Sequence, residues 1–140
     1  MFYGQYFHQL DDKGRFRIPT KFREQLGDKP MLLLGFDGCL ELYKAEDYHK
    51  MIENRFASVD ILDRKLAKIK RFILSNSQEV EIDKQGRAPM IPILKEKSGI
   101  VKDIVSIGVG DHVEIWAKDK LEEEEKNLNL DELLAPFSEN

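Results

Sequence analysis

The sequence predicts an α+β fold in which two β-β-α-β-β copies share one barrel flanked by peripheral helices, and three observations carry the prediction. The chain repeats itself at a nearly constant offset. Each copy contains extended stretches that run into glycine turns. A segment of helical periodicity lies between the copies.

The repeat is plain in the residues. Leu10-Asp11-Asp12-Lys13-Gly14-Arg15 returns as Ile82-Asp83-Lys84-Gln85-Gly86-Arg87, and the offset of 72 continues from Phe22 to Leu94, Glu24 to Glu96 and Gly27 to Gly99. Leu40-Glu41-Leu42-Tyr43 then matches Val113-Glu114-Ile115-Trp116 at an offset of 73. Two matching blocks in one order mark a duplicated structural unit.

Within each copy the elements follow in turn. Phe2–Leu10 and Ser77–Ile82 read as strands, the latter alternating Val80 and Ile82 with Glu79 and Glu81. Each runs into a turn where Gly14 or Gly86 supplies a φ that other residues resist, and a short strand follows. Each pair therefore reads as a β-hairpin with an Asp-x-x-Gly-Arg tip. Thr20–Leu26 and Pro92–Ser98 read as short helices stopped by Gly27 and Gly99. A second hairpin joins Met31–Leu34 to Leu40–Tyr43, and its counterpart joins Ile104–Ile107 to Val113–Trp116.

Between the copies, Glu46–Phe56 and Ile61–Leu74 read as helices, the second capped by Asp60 or Ser58. Leu62, Leu66, Ile69 and Ile73 form a stripe expected to be buried. A third helix is expected after Trp116, through Glu122–Glu125. The expected organisation is a first repeat at 1–50, a linking helical segment at 51–75, a second repeat at 76–123 and an acidic tail at 124–140. Neither copy can bury a good core alone, so strands of one should pair with strands of the other.

Composition narrows the class. With 140 residues, 41% hydrophobic and 34% charged, the chain is an ordinary globular mixture, which excludes disordered and collagen-like classes. The longest apolar run, Met31–Leu34, is far short of a membrane span, and Met1-Phe2-Tyr3-Gly4 lacks a signal-peptide layout, so a cytoplasmic location is expected. The single cysteine, Cys39, allows no internal disulfide and, with three scattered histidines, no zinc site of the usual spacing. It reads as a small packing residue.

The net charge of −4 conceals a polarity. Residues 119–140 hold eight acids against Lys120 and Lys126, a local −6, so residues 1–118 carry 20 basic and 18 acidic side chains, or +2. Around the tips the first copy adds Lys13, Arg17, Lys21 and Arg23, and the second adds Lys84, Lys95 and Lys97. Strand alternation puts Arg15 and Arg17 on one face and Phe16 and Ile18 on the other, so a basic row lines one side of the first hairpin.

The tip charges admit two readings together. Asp11 and Asp83 can accept backbone amides at the turn start, and Arg15 and Arg87 can pair with them and fix the turn. An arginine held in this way also presents its remaining donors to phosphate or guanine with little entropy to lose. Catalysis is not expected: Asp11, Asp12 and Asp83 have basic neighbours, and no histidine, serine or cysteine recurs beside them.

Phe2-x-Gly4-x-Tyr6, Leu10–Arg15, Ile18-Pro19-x-Lys21-Phe22-Arg23-Glu24, Asp37-Gly38-Cys39-Leu40, Asp83–Arg87 and Glu114-Ile115-Trp116 together closely resemble the bacterial MraZ family over about residues 1–125. The resemblance implies two SpoVT-AbrB-like repeats in a pseudo-twofold, swapped-hairpin, double-split β-barrel. It also implies a ring-shaped homo-oligomer that binds double-stranded DNA at direct repeats upstream of the division and cell-wall gene cluster, its own promoter included. The family's DNA-contacting positions fall on Lys13 and Arg15 in the first tip and Lys84 and Arg87 in the second. With the basic row, the expected DNA-binding set is Lys13, Arg15, Arg17, Lys21, Lys84 and Arg87, oriented by Asp11, Asp83, Gly14 and Gly86. No cofactor, metal, membrane or small-molecule substrate is expected, and the location implied is the cytoplasm, on the nucleoid. The alternative is an oligomeric protein-interaction module whose tips contact protein partners. One departure concerns Pro89, which cannot donate to a ladder, so its strand should be at an edge or bulged. Another is Asn76-Ser77, in place of an expected Gly-Ala pair before the second copy's first strand.

Overall fold

A computed structural model describes residues 1–58 and 60–138; Glu139, the last acid counted in the tail, lies outside the described residues. In chain order the elements are β1 (Gln5–Gln9), β2 (Arg15–Arg17), α1 (Thr20–Leu26), β3 (Met31–Leu34), β4 (Leu40–Tyr43), α2 (Ala45–Phe56) and α3 (Arg64–Ser75). The second copy supplies β5 (Ser77–Glu79), β6 (Arg87–Pro89), α4 (Pro92–Ser98), β7 (Asp103–Gly108) and β8 (Val113–Ala117). Then come α5 (Lys118–Lys126), α6 (Leu130–Leu134) and a 3-10 turn at Ala135–Phe137. The fold is α+β.

The strands form an antiparallel six-stranded sheet in the order β1-β7-β8-β4-β3-β5 and a separate two-stranded ribbon of β2 and β6. Exchanging the copies leaves both orders unchanged, which is the signature of a pseudo-twofold axis. The axis passes through the ribbon where Phe16 faces Ala88, and through the sheet where Glu41 faces Glu114. Those pairs sit at the two repeat offsets.

The expectation that the copies share strands holds: β1 pairs with β7, β5 with β3, β2 with β6 and β4 with β8. The two tip hairpins need correction. The turns close, but the strands on either side of each turn part company, one joining the six-stranded sheet and the other the ribbon. Burial explains the parting. Pairing β2 with β6 turns Phe16 (1% exposed) and Ala88 (0%) inward against Phe22, Leu94, Leu40 and Ile115, a core built from both copies. A hairpin closed within one copy would leave that face without a partner.

The strand boundaries also shift. The first ladder starts at Gln5, because Gly4 adopts φ 89° and Phe2 makes only an isolated bridge to Gly110. In the second copy the ladder ends at Glu79. Val80 and Ile82 keep the alternation and stay buried, their amides donating to the Pro30 and Asp28 carbonyls.

The linking segment departs further from expectation. The second linker helix, α3, begins at Arg64 with Asp63 as N-cap, its carboxylate accepting from the Leu66 amide at 3.1 Å. Asp60 instead closes the preceding turn through the Leu62 amide at 2.8 Å, which excludes Ile61 and Leu62 from the helix. The stripe is therefore not buried as expected: Ile73 packs against Leu33, Tyr43 and Tyr48, Leu66 is half-buried, and Leu62 and Ile69 are exposed. Asn76 has a structural role: it is buried, its Nδ2 donates to the Phe72 carbonyl at the end of α3, and Lys97 Nζ donates to its Oδ1 at 2.7 Å.

Candidate nucleic-acid interface

Each tip is built by its own aspartate. Asp11 Oδ1 accepts the Lys13 and Arg15 amides, both at 2.9 Å, and Asp83 Oδ1 accepts the Gln85 and Arg87 amides, both at 2.9 Å. Gly14 (φ 72°) and Gly86 (φ 80°) donate to the Asp11 and Asp83 carbonyls, in a backbone region that a Cβ disfavours. The turns match, so Pro89 does not distort the second tip. Pro89 is exposed opposite Arg15 on a ribbon strand with a free outer edge, the setting its missing N–H requires.

The fold then brings the tips together. Arg15 Nε lies 3.1 Å from Asp11 Oδ2, and its Nη1 lies 3.7 Å from Asp83 Oδ2. Arg87 mirrors it, with Nε 3.4 Å from Asp83 Oδ2 and Nη1 3.7 Å from Asp11 Oδ2. Two acids and two arginines thus form a closed ring in which each guanidinium bridges both copies. The turns are further locked by reciprocal bonds, from the Ile18 amide to the Gly86 carbonyl at 2.8 Å and from the Met90 amide to the Gly14 carbonyl at 3.0 Å. The Arg15 amide, with the Lys13 amide and the Arg15 guanidinium, holds the Asp11 carboxyl below its ordinary value against the opposing effect of desolvation. The Arg87 amide, then the Gln85 amide and the Arg87 guanidinium, do the same for Asp83.

Within that ring the charges cancel, so any surplus comes from its surroundings. Lys13 and Lys84 project exposed from the turns, and Arg17, opposite Arg87 in the ribbon, donates to the Gln85 carbonyl at 3.1 Å. The ring engages Nε and Nη1 of each arginine, and a guanidinium has further N–H groups to offer. Side-chain exposures of 28% for Arg15 and 25% for Arg87 leave those groups reachable. The arrangement can therefore present a rigid, bidentate-capable cationic surface to an anion.

The remaining expected residues fall elsewhere. Lys21 sits on α1 with its ammonium 4.9 Å from the Tyr3 ring centroid, and with Arg17 it lines a groove of about 540 Å³ bounded by Tyr6, Phe7, His8, Ile18 and Pro19. Arg23 has a larger role than its place among the basic residues around the first tip suggests, because its guanidinium packs on Gly86, where a Cβ would overlap it. No local signal marks that contact, which joins the first copy's helix to the second copy's tip.

The fold and site define a class: an internally duplicated chain with interleaved strands and two Asp/Arg turns closed into one charged platform on the pseudo-twofold axis. A family model described as "MraZ protein, putative antitoxin-like" matches residues 1–69. The transcriptional regulator MraZ of Clostridium beijerinckii is 42% identical over 140 residues, covering 99% of this chain and 98% of that protein. The proteins of the same name from Lactobacillus helveticus (41% over 135 residues; 95% and 94% covered) and Acetivibrio thermocellus (42% over 130; 93% and 90%) are similarly close. The chain belongs to the MraZ family. These relatives carry the name of a regulator and not of an enzyme, in keeping with the reading of the tip acids as structural.

Proposed function

We propose that this protein is a sequence-specific, double-stranded-DNA-binding transcriptional regulator without catalysis, working in the cytoplasm on the nucleoid. The observation that carries the reading is the four-membered Asp11–Arg15–Asp83–Arg87 ring, which fuses two basic tips into one preorganised surface. Lys13, Arg15, Lys84 and Arg87 contact the duplex, with Arg17 and Lys21 extending the positive surface along the groove. The six-stranded sheet and the ribbon together make the double-split barrel of two SpoVT-AbrB-like repeats, with 51–75 as linker and 124–140 as tail. No described helix is long and apolar enough to cross a membrane.

One chain neutralises few phosphates and binds at the weak, salt-sensitive end. Several protomers facing one duplex multiply the contacts through effective concentration. A ring-shaped homo-oligomer on direct repeats in its own promoter, upstream of the division and cell-wall gene cluster, satisfies that requirement. The test is duplex binding across a salt series, followed by sequencing of the fragments the protein retains. A negative slope of log affinity against log salt and enrichment of repeated boxes support the proposal. Absence of binding to any duplex at low salt overturns it in favour of the protein-interaction module.

A further inference from the structure

At the other end of the pseudo-twofold axis, the sheet face turned away from the core carries a polar cluster unrelated to the tips. Glu41 on β4 directly faces Glu114 on β8. On one side of this pair Tyr43 and His112 stack with centroids 4.6 Å apart, and on the other Cys39 packs with Trp116 and Leu121. Cys39 is a free thiol, 1% exposed, that makes no side-chain hydrogen bond to another residue among the described residues. Its sulfur and one carboxylate oxygen each from Glu41 and Glu114 all lie within 4.8 Å of one another.

We propose that Cys39, Glu41 and Glu114 bind a divalent cation of the zinc class across the seam between the two copies. Two carboxylates opposed on neighbouring strands repel, and a shared cation removes the repulsion. One sulfur and two oxygens form a donor set that zinc accepts. Its bond lengths of about 2.3 Å to sulfur and 2.0–2.2 Å to oxygen place ligand atoms roughly 3.3–3.6 Å apart, within reach of small side-chain rotations. Each carboxylate already has a neutral donor on one oxygen, Tyr43 Oη to Glu41 at 3.3 Å and Trp116 Nε1 to Glu114 at 3.0 Å, as outer partners of metal ligands do. A cavity of about 160 Å³ adjoins the cluster on the Tyr43 and His112 side, where Glu41 lines it.

Burial and the charges of Glu114, Glu41 and Asp37 keep the Cys39 thiol protonated when no cation is present. Binding therefore breaks the S–H bond, forms a sulfur–metal bond and releases the proton to solvent. Cys39 and Glu41 are only two residues apart, and Glu114 comes from the other copy, so the set follows no zinc-motif spacing.

The test titrates the full chain, stripped with chelator and free of DNA, with Co²⁺ alone and then with Zn²⁺. The expected result is one cobalt per chain with a thiolate charge-transfer band and tetrahedral visible bands, displaced by zinc. C39S should abolish the charge-transfer band, and E41Q and E114Q, which keep the thiol, should each weaken binding by more than about tenfold, with far-UV circular dichroism checking the fold. Absence of the band at millimolar cobalt, or carboxamide variants that titrate like wild type, overturns the proposal. Neither outcome depends on whether the tips bind DNA.

Discussion

Arg15 Nη1 lies 3.7 Å from Asp83 Oδ2, so the arginine of one tip is partly held by the acid of the other. This cross-pairing makes the tips one unit. Asp83→Asn should therefore weaken DNA binding through Arg15 as well as through Arg87. A double-mutant cycle between Asp83→Asn and Arg15→Ala, read in DNA affinity, should show non-additivity; strictly additive losses would mean that the tips act separately.

Arg15→Ala and Arg87→Ala should each leave folding and oligomer size intact, because partly exposed ion pairs contribute only about 0–1 kcal/mol. Loss of a bidentate base contact costs about 1–3 kcal/mol per site and flattens sequence preference. Loss of a phosphate contact instead weakens all sequences alike and lowers the salt slope by about one per contact. Arg15 should matter more, since its strand continues into Arg17 while the second copy has Pro89 there. Wild-type affinity and specificity in both variants would redirect the search to the exposed Lys65, Lys68 and Arg71 of α3.

Light scattering of the purified chain at micromolar concentration should give a mass several times 16.3 kDa. Removing residues 126–140 should change DNA affinity little, because acids beside phosphates would oppose binding and α6 presents Leu130, Leu133 and Leu134 to solvent instead of packing into the core. A large gain in affinity on truncation would identify the tail as a competitor of DNA.

Acid should destabilise the protein through His8. Burial lowers its pKa from 6.5 to about 4, with Nε2 against Ser106 Oγ at 2.8 Å and Nδ1 buried without a partner among the described residues. The folded state binds fewer protons than the unfolded one, so stability is complete above pH 6.5 and falls as pH drops toward 4. Discounted for partial exposure, the loss is roughly 2–3 kcal/mol. Urea midpoints measured through that window should flatten in His8→Gln. The depressed Asp11 and Asp83 carboxyls add a further loss at lower pH still.

Phe16→Ala should cost roughly 3–5 kcal/mol in urea unfolding, the usual penalty for emptying a packed aromatic site. Phe16 is 1% exposed and faces Ala88, so little can fill the space. A loss below about 1 kcal/mol would mean that the ribbon is not packed on the core.

Much of this was legible in the chain. Thr20–Leu26 and Pro92–Ser98 form the expected helices to the residue, because Gly27 and Gly99 stop them locally. The Asp/Gly/Arg turns close as read, since Asp11 and Asp83 bond amides two and four residues on. Such signals act over a few residues and need no tertiary context. Tertiary structure decided which strands pair and which charges meet. Nothing near Asp60 says that Asp63 caps α3, because both are competent caps and only the structure shows Asp60 taking the Leu62 amide in a turn and Asp63 the Leu66 amide of the helix. Nothing near Arg15 says that it reaches Asp83, because that contact exists only once Phe16 and Ala88 turn inward together. The repeat determined what the two halves are; burying the apolar faces that neither half can cover alone determined how they interleave.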